Sequence, residues 1–195
     1  MKQLVVFLFS IAMLASCSGP QSKIVVMSSG KVTVAGNVIT HEPGTTHNEV
    51  VVNTAEKNLV INSGGSEQQV NIPSEGLYIF NLKQDTLIGS YQRTGTEVKQ
   101  EVITQESLGY RIDSLHMLLQ GKNVSEANRN YNIPPNQLVK ITNNLNADII
   151  GPFLRVPGSF EAGKDYEIYK FYTAKEIREI IQKLEGMQSV PADDE

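Results

Sequence analysis

Short runs of β-branched residues, each cut off by turn formers, fill the chain from Lys23 to about Arg93. They are Ile24–Met27, Val32–Val34, Val38–Thr40, Val50–Val52, Leu59–Ile61, Val70–Ile72, Leu77–Phe80 and Leu87–Tyr91. Ser29-Gly30, Gly36-Asn37, Pro43-Gly44, Ser63-Gly64-Gly65 and Pro73-Ser74-Glu75-Gly76 stand between them as turns. Many short strands at this spacing predict an antiparallel β-rich region, a sandwich or an open barrel. A β-solenoid would need a fixed period, and none is visible.

Near Gly95 the period changes. Leu108, Ile112, Leu115 and Leu119 recur at helical spacing, and Gly121 sits where a left-handed residue ends a helix. Leu138–Thr142 and Ala147–Ile150 flank Asn143-Asn144-Leu145-Asn146 and read as a hairpin. Tyr166–Phe171 alternates like a strand. Thr173-Ala174-Lys175-Glu176 is a capping box, followed by Ile177, Ile180, Ile181 and Leu184 on one face, with Gly186 as the stop. The expected fold class is therefore α+β. An antiparallel β-rich, sandwich-like domain at 23–93 precedes a small α+β domain at 100–186 with a C-terminal amphipathic helix, and 187–195 is a flexible tail.

The first residues follow a different logic. Lys2 supplies a positive charge, and Leu4–Leu14 is an apolar run too short to span a bilayer of ~30 Å. Leu14-Ala15-Ser16-Cys17 then resembles the lipobox of bacterial lipoproteins. The resemblance implies a signal peptide at 1–16, lipid attachment through the Cys17 thiol, and a tether at 17–22. One acyl chain binds a membrane marginally and two or more bind it stably, at about 0.8 kcal/mol per buried methylene. Ser18, rather than Asp, follows the cysteine. In the family's sorting rule this implies the outer membrane, and no acidic run argues for display on its outer surface, so the chain is expected to face the periplasm.

Charge and composition narrow the partners. Without Lys2, 16 of the 17 basic residues remain against 21 acidic ones, which leaves no electrostatic footprint for nucleic acid. Cys17 is the only cysteine, so once acylated it leaves no thiol for a disulfide, a thiolate metal site or a nucleophile. No cofactor is expected. Tryptophan is absent, although seven tyrosines remain.

Candidate chemistry is sparse. His41-Glu42-Pro43-Gly44-Thr45-Thr46-His47 gathers two of the three histidines, but Pro43-Gly44 forbids the helix that would align zinc ligands, and a solvated hairpin tip is expected. His116 lies beside the helical seam. No Gly-x-Ser-x-Gly elbow occurs, and neither Ser63-Gly64-Gly65-Ser66 nor Ser29-Gly30 opens a helix as a phosphate cradle would. Tyr166, Tyr169 and Tyr172 could line up as a sugar platform, although tyrosines in an alternating strand more often face a half-buried sheet.

Gly121–Ala127 through Tyr131-Asn132-Ile133 is similar to the start of a LysM module, with Leu138, Ile141 and Asn143 in place of its second helix and Leu154–Pro157 in place of its closing strand. The similarity covers about 116–157. It departs at Asn128, lacks the Gly-Gln before the closing strand, and needs a strand at His116–Gln120 where the pattern is helical. It implies peptidoglycan binding, with Asn123, Val124, Asn144 and Asn146 against the glycan. The leading expectation is a non-catalytic, lipid-anchored envelope protein that binds or scaffolds an envelope protein or peptidoglycan. An enzyme assembled from scattered polar residues is the alternative.

Overall fold

The computed structural model describes residues 22–92, 104–156 and 166–189. Cys17, its signal and most of its tether lie outside the described residues, as do Leu154–Pro157 at its last position and the tail from residue 190.

Among the described residues, ten strands and two helices follow in the order β1 (Ser22–Ala35), β2 (Val38–Thr54), β3 (Asn58–Ser63), β4 (Ser66–Asn71), β5 (Gly76–Leu82), β6 (Leu87–Gln92), α1 (Gln105–Leu119), β7 (Asn130–Ile133), β8 (Leu138–Thr142), β9 (Asp148–Ile150), β10 (Ile168–Thr173) and α2 (Ala174–Gln188). The α+β class and the run of early strands follow the sequence pattern. The antiparallel expectation does not hold throughout. The first sheet, in order β4-β3-β2-β1-β5-β8, is mixed: β1 runs parallel to β5, and β2 runs parallel to β3. The second sheet, β7-β6-β10-β9, pairs β9 and β10 in parallel.

Strands from the two halves of the chain interleave. β8 pairs with β5 in the first sheet, and β6 sits between β7 and β10 in the second. Residues 138–150 are accordingly not a hairpin. β8 joins one sheet and β9 the other, and the Asn143–Asn146 turn carries the chain across. Tyr166 and Glu167 precede β10 rather than opening it.

Ser29-Gly30 and Pro43-Gly44 do not end strands either. Gly30 stands opposite Pro43 at a register shift inside the long β1–β2 ribbon. Its φ is +118°, and a Cβ there would overlap the Glu42 carbonyl and the Gly44 amide. Two breakers facing each other bend one ribbon instead of cutting two strands.

Three apolar clusters result. On one face of the first sheet, Ile24, Val26, Ile39, Leu59, Ile61, Tyr78 and Phe80 are buried against one another. Among the described residues, that cluster draws on the first sheet and the ends of its strands. The opposite face offers Val25, Met27, Leu77 and Ile79 to Leu87, Tyr131, Ile133, Tyr169 and Phe171 of the second sheet. Beyond the second sheet, Ile88 meets Leu108, Ile112 and Leu118 of α1 and Ile177 and Ile181 of α2. β10 is covered on both faces, which is why its residues are buried without alternation.

Both helix ends are set by local sequence. Thr173 and Glu176 close the expected capping box, with Glu176 N–H donating to Thr173 Oγ1 at 3.1 Å and Thr173 N–H donating to Glu176 Oε2 at 2.7 Å. α1 ends on Gly121 at φ +67°, where Gly121 N–H donates to the Leu118 carbonyl and Lys122 N–H to the Met117 carbonyl, a Schellman motif. Gly186 does not stop α2, which runs on through Met187 and Gln188, the first positions expected in the tail. Among the described residues no helix is long and apolar enough to cross a membrane.

Candidate functional site

A cleft of about 470 Å³ opens where the two sheets meet the start of α2. Ser29 from the β1 bulge, Thr45 and His47 from β2, Lys83, Gln84 and Asp85 from the β5–β6 turn, Phe153, and Thr173 line it. A second hollow, of about 450 Å³, lies at Gly36, Asn37 and Asn53–Glu56, where Glu56 is the only ionisable side chain.

Two buried lysines share this region, Lys83 in the cleft lining and Lys170 outside it. Lys83 is 5 % exposed and Lys170 4 %. Burial pushes both amines below the ordinary lysine value, and the charges of Glu49 and Glu176 oppose that shift. Lys170 Nζ donates to the Gly151 carbonyl at 2.6 Å and lies 4.6 Å from the Tyr172 ring centroid. Lys83 Nζ donates to Ser29 Oγ at 3.3 Å and stands 5.9 Å from the Phe153 ring. Among the described residues, no carboxylate oxygen makes an ion pair with either amine.

The carboxylates nearby hold other groups. Glu49 Oε1 is 2.7 Å from His47 Nε2, which places the proton on Nε2 and leaves Nδ1, buried, without a partner. Asp85 accepts from the amides of Thr86 and Lys175. Glu176 accepts from Thr173 and from the Phe153 amide at 3.2 Å. That last bond fixes an unusual residue. Phe153 has φ +66°, a left-handed conformation costing about 1 kcal/mol or more for a side chain of this size, and the residue is 66 % exposed. The ring packs edge-on against His47 at 6.0 Å between centroids.

The histidine segment is not a hairpin tip but part of β2, with residues 42–46 exposed as expected and the two histidines at its ends withdrawn from solvent. His41 is buried in the sheet, with Nδ1 2.7 Å from Ser63 Oγ and Nε2 2.9 Å from the Ser29 carbonyl. His41 and Ser63 are register partners on adjacent strands, and neither lines the cleft. A carbonyl rather than a carboxylate orients the ring, so the pair lacks the acid of a hydrolytic triad. His116 faces Glu185 across the two helices at 3.7 Å, both half exposed.

The four residues taken from the LysM similarity lie in two loops, Asn123 and Val124 after α1 and Asn144 and Asn146 between β8 and β9. Asn123, at φ +57°, accepts from Asn128 Nδ2 in the loop after α1, and Val124 packs beneath the helices. Asn144 belongs to the crossing between the sheets, donating to Glu167 Oε2 at 2.8 Å and accepting the Asn146 amide on its Oδ1. His116–Leu119 is helix and Leu138–Thr142 is strand, the reverse of what a βααβ module requires. The tyrosines make no platform: Tyr169 is buried, with its hydroxyl donating to Glu167 Oε1 at 2.6 Å, and Tyr172 leans over Lys170.

Sequence reading missed Lys83, Lys170, Glu49 and Phe153. Each comes from a separate segment, and the local signal that could have flagged one is Gly151-Pro152 ahead of Phe153, a turn pair beside an aromatic residue. The chain matches no protein-family model, no curated protein and no solved structure.

Proposed function

We propose that this chain is a lipid-anchored protein of the bacterial envelope, held to the periplasmic side of the outer membrane through Cys17, whose folded part serves as a non-catalytic binding module. The single observation that carries the anchor is Leu14-Ala15-Ser16-Cys17 at the end of a short apolar segment that begins with a charge. The arrangement of the cleft supports a binding role. Glu49, Asp85 and Glu176 are each engaged by a structural donor, so none stands as a free general base beside a nucleophile. Lys83, whose amine lines the cleft, is suited to holding a ligand.

The test is Cys17→Ser, which keeps the size and the apolar run but removes the thiol that would carry lipid. The chain is expected to leave the membrane fraction and to lose acyl labelling. Membrane association that survives the substitution contradicts the proposal.

A further inference from the structure

Lys83 is a buried cation without a partner that matches it. An ammonium has three donors, and within the protein Lys83 Nζ makes one long bond, to Ser29 Oγ. Its relative in the same layer, Lys170, has a short bond to a carbonyl and an aromatic face beneath it. Leaving a buried charge with unspent donors is costly, so sites of this kind are completed by an anion or an acceptor from outside. Lys83 lines the open cleft, and a ligand can supply that acceptor.

The other walls restrict what the ligand can be. Glu49, Glu176 and Asp85 all lie close enough to act on the Lys83 charge. Their charges repel any anion, a dianionic phosphate about twice as strongly as a monoanion, so a single negative charge seated directly against the Lys83 ammonium is the anion they oppose least. Phe153 holds an exposed ring at the mouth in a strained backbone conformation, anchored by Glu176, and strain of this kind gathers at ligand clamps. The ring offers an apolar surface beside the charge. The cleft volume suits a small molecule or a chain end.

We propose that this cleft binds the carboxylate of a small apolar or aromatic acid, with the Lys83 ammonium as counterion, the Ser29 hydroxyl as neighbour and the Phe153 ring as apolar wall. This rests on the binding-module reading, but not on the lipid anchor. The carboxylate can belong to a free acid or to the C-terminus of a peptide.

The chain has no tryptophan, so Phe153→Trp places a single reporter at the mouth of the cleft. The full-length chain carrying that substitution is titrated with benzoate, with N-acetyl-phenylalanine, with the amide of each, and with inorganic phosphate. A saturable fluorescence change with at least one of the two acids is expected, with Kd on the order of 1 mM for ligands this small. Benzoate responding alone marks a free acid, and N-acetyl-phenylalanine binding more tightly marks a chain end. Lys83→Met is expected to weaken binding about tenfold or more, and Lys83→Arg to restore most of it. Amides or phosphate binding as tightly as the acids would overturn the proposal. So would the absence of a saturable response to both acids, or an unchanged affinity in a folded Lys83→Met chain. None of these outcomes bears on whether Cys17→Ser releases the chain from the membrane, so the two readings fail separately.

Discussion

The Glu49 carboxylate occupies the space that a side chain at Gly151 would need: a Cβ built on Gly151 overlaps Glu49 Oε1. The same carboxylate oxygen holds His47, and the Gly151 carbonyl holds Lys170. One missing methyl group thus lets the Glu49 side chain of β2 approach the loop after β9.

Gly151→Ala is expected to displace Glu49, break its bond to His47 and destabilise the chain by about 1–3 kcal/mol in urea unfolding, the usual cost of stranding a partly buried polar group. In a Glu49→Ala background the same substitution should cost at least 1 kcal/mol less. Additive effects of the two changes would show that the carboxylate does not sit where the structure places it.

Gly89 is a packing position of a different kind. It faces Phe171 across β6 and β10, and a Cβ there would overlap the ring itself. Phe171 is fully buried in the cluster between the sheets, so the ring has nowhere to go. Gly89→Ala should cost about 1–3 kcal/mol through overpacking, despite the better strand propensity of alanine. A stability unchanged or raised in urea unfolding would contradict the packing of the second sheet.

Alkaline pH should loosen the same layer. Burial pushes the Tyr131 hydroxyl from 10.0 up to about 12, and its proton donates to the Ile141 carbonyl. The folded state therefore holds this proton after the unfolded chain has lost it, and the contribution, fully present below pH 10, is lost as pH rises toward about 12. Unfolding free energy measured at a series of pH values should fall across that window. Tyr131→Phe should make the fall shallower, and Tyr169, raised by burial and by its bond to Glu167, should account for part of what remains. Equal slopes in the two proteins would contradict the burial of Tyr131.

Thr173 caps α2 and borders the cleft. Thr173→Ala should destabilise by about 1 kcal/mol, the loss of one N-cap acceptor. Glu176→Ala removes the other half of the box and also the acceptor of the Phe153 amide, so it should cost more than Thr173→Ala and shift the emission of a tryptophan at 153. Emission unmoved by Glu176→Ala would mean that Phe153 is positioned by other contacts.

Much of the fold could be read in advance where a single segment decides its own conformation. The Gly36-Asn37 turn, the Thr173–Glu176 box and the Gly121 stop are such cases, because each satisfies backbone groups within a few residues. Reading failed where the outcome depends on what stands opposite. Gly30 and Pro43 each look like a strand end, and only their facing each other turns them into one bend. Leu138–Thr142 and Asp148–Ile150 each look like half of a hairpin, but buried partners in different sheets, β5 and β10, claim them. Parallel pairing of β1 with β5 leaves no local mark, since alternation fixes a strand's faces and not its neighbours. The cleft was hidden for the same reason. Lys83, Glu49, Lys170 and Phe153 sit in four segments, and a buried lysine in β10 reads from sequence as an ordinary polar position of an alternating strand.

The proposed lipid anchor depends on Cys17, and its most direct measurement is the mass of the N-terminal peptide of the mature chain extracted from bacterial membranes. The expected result is a chain that begins at Cys17 and carries a diacylglycerol on its thiol, with or without a third acyl chain on its amine. A mature chain that starts elsewhere, or that starts at Cys17 with an unmodified thiol, would contradict it.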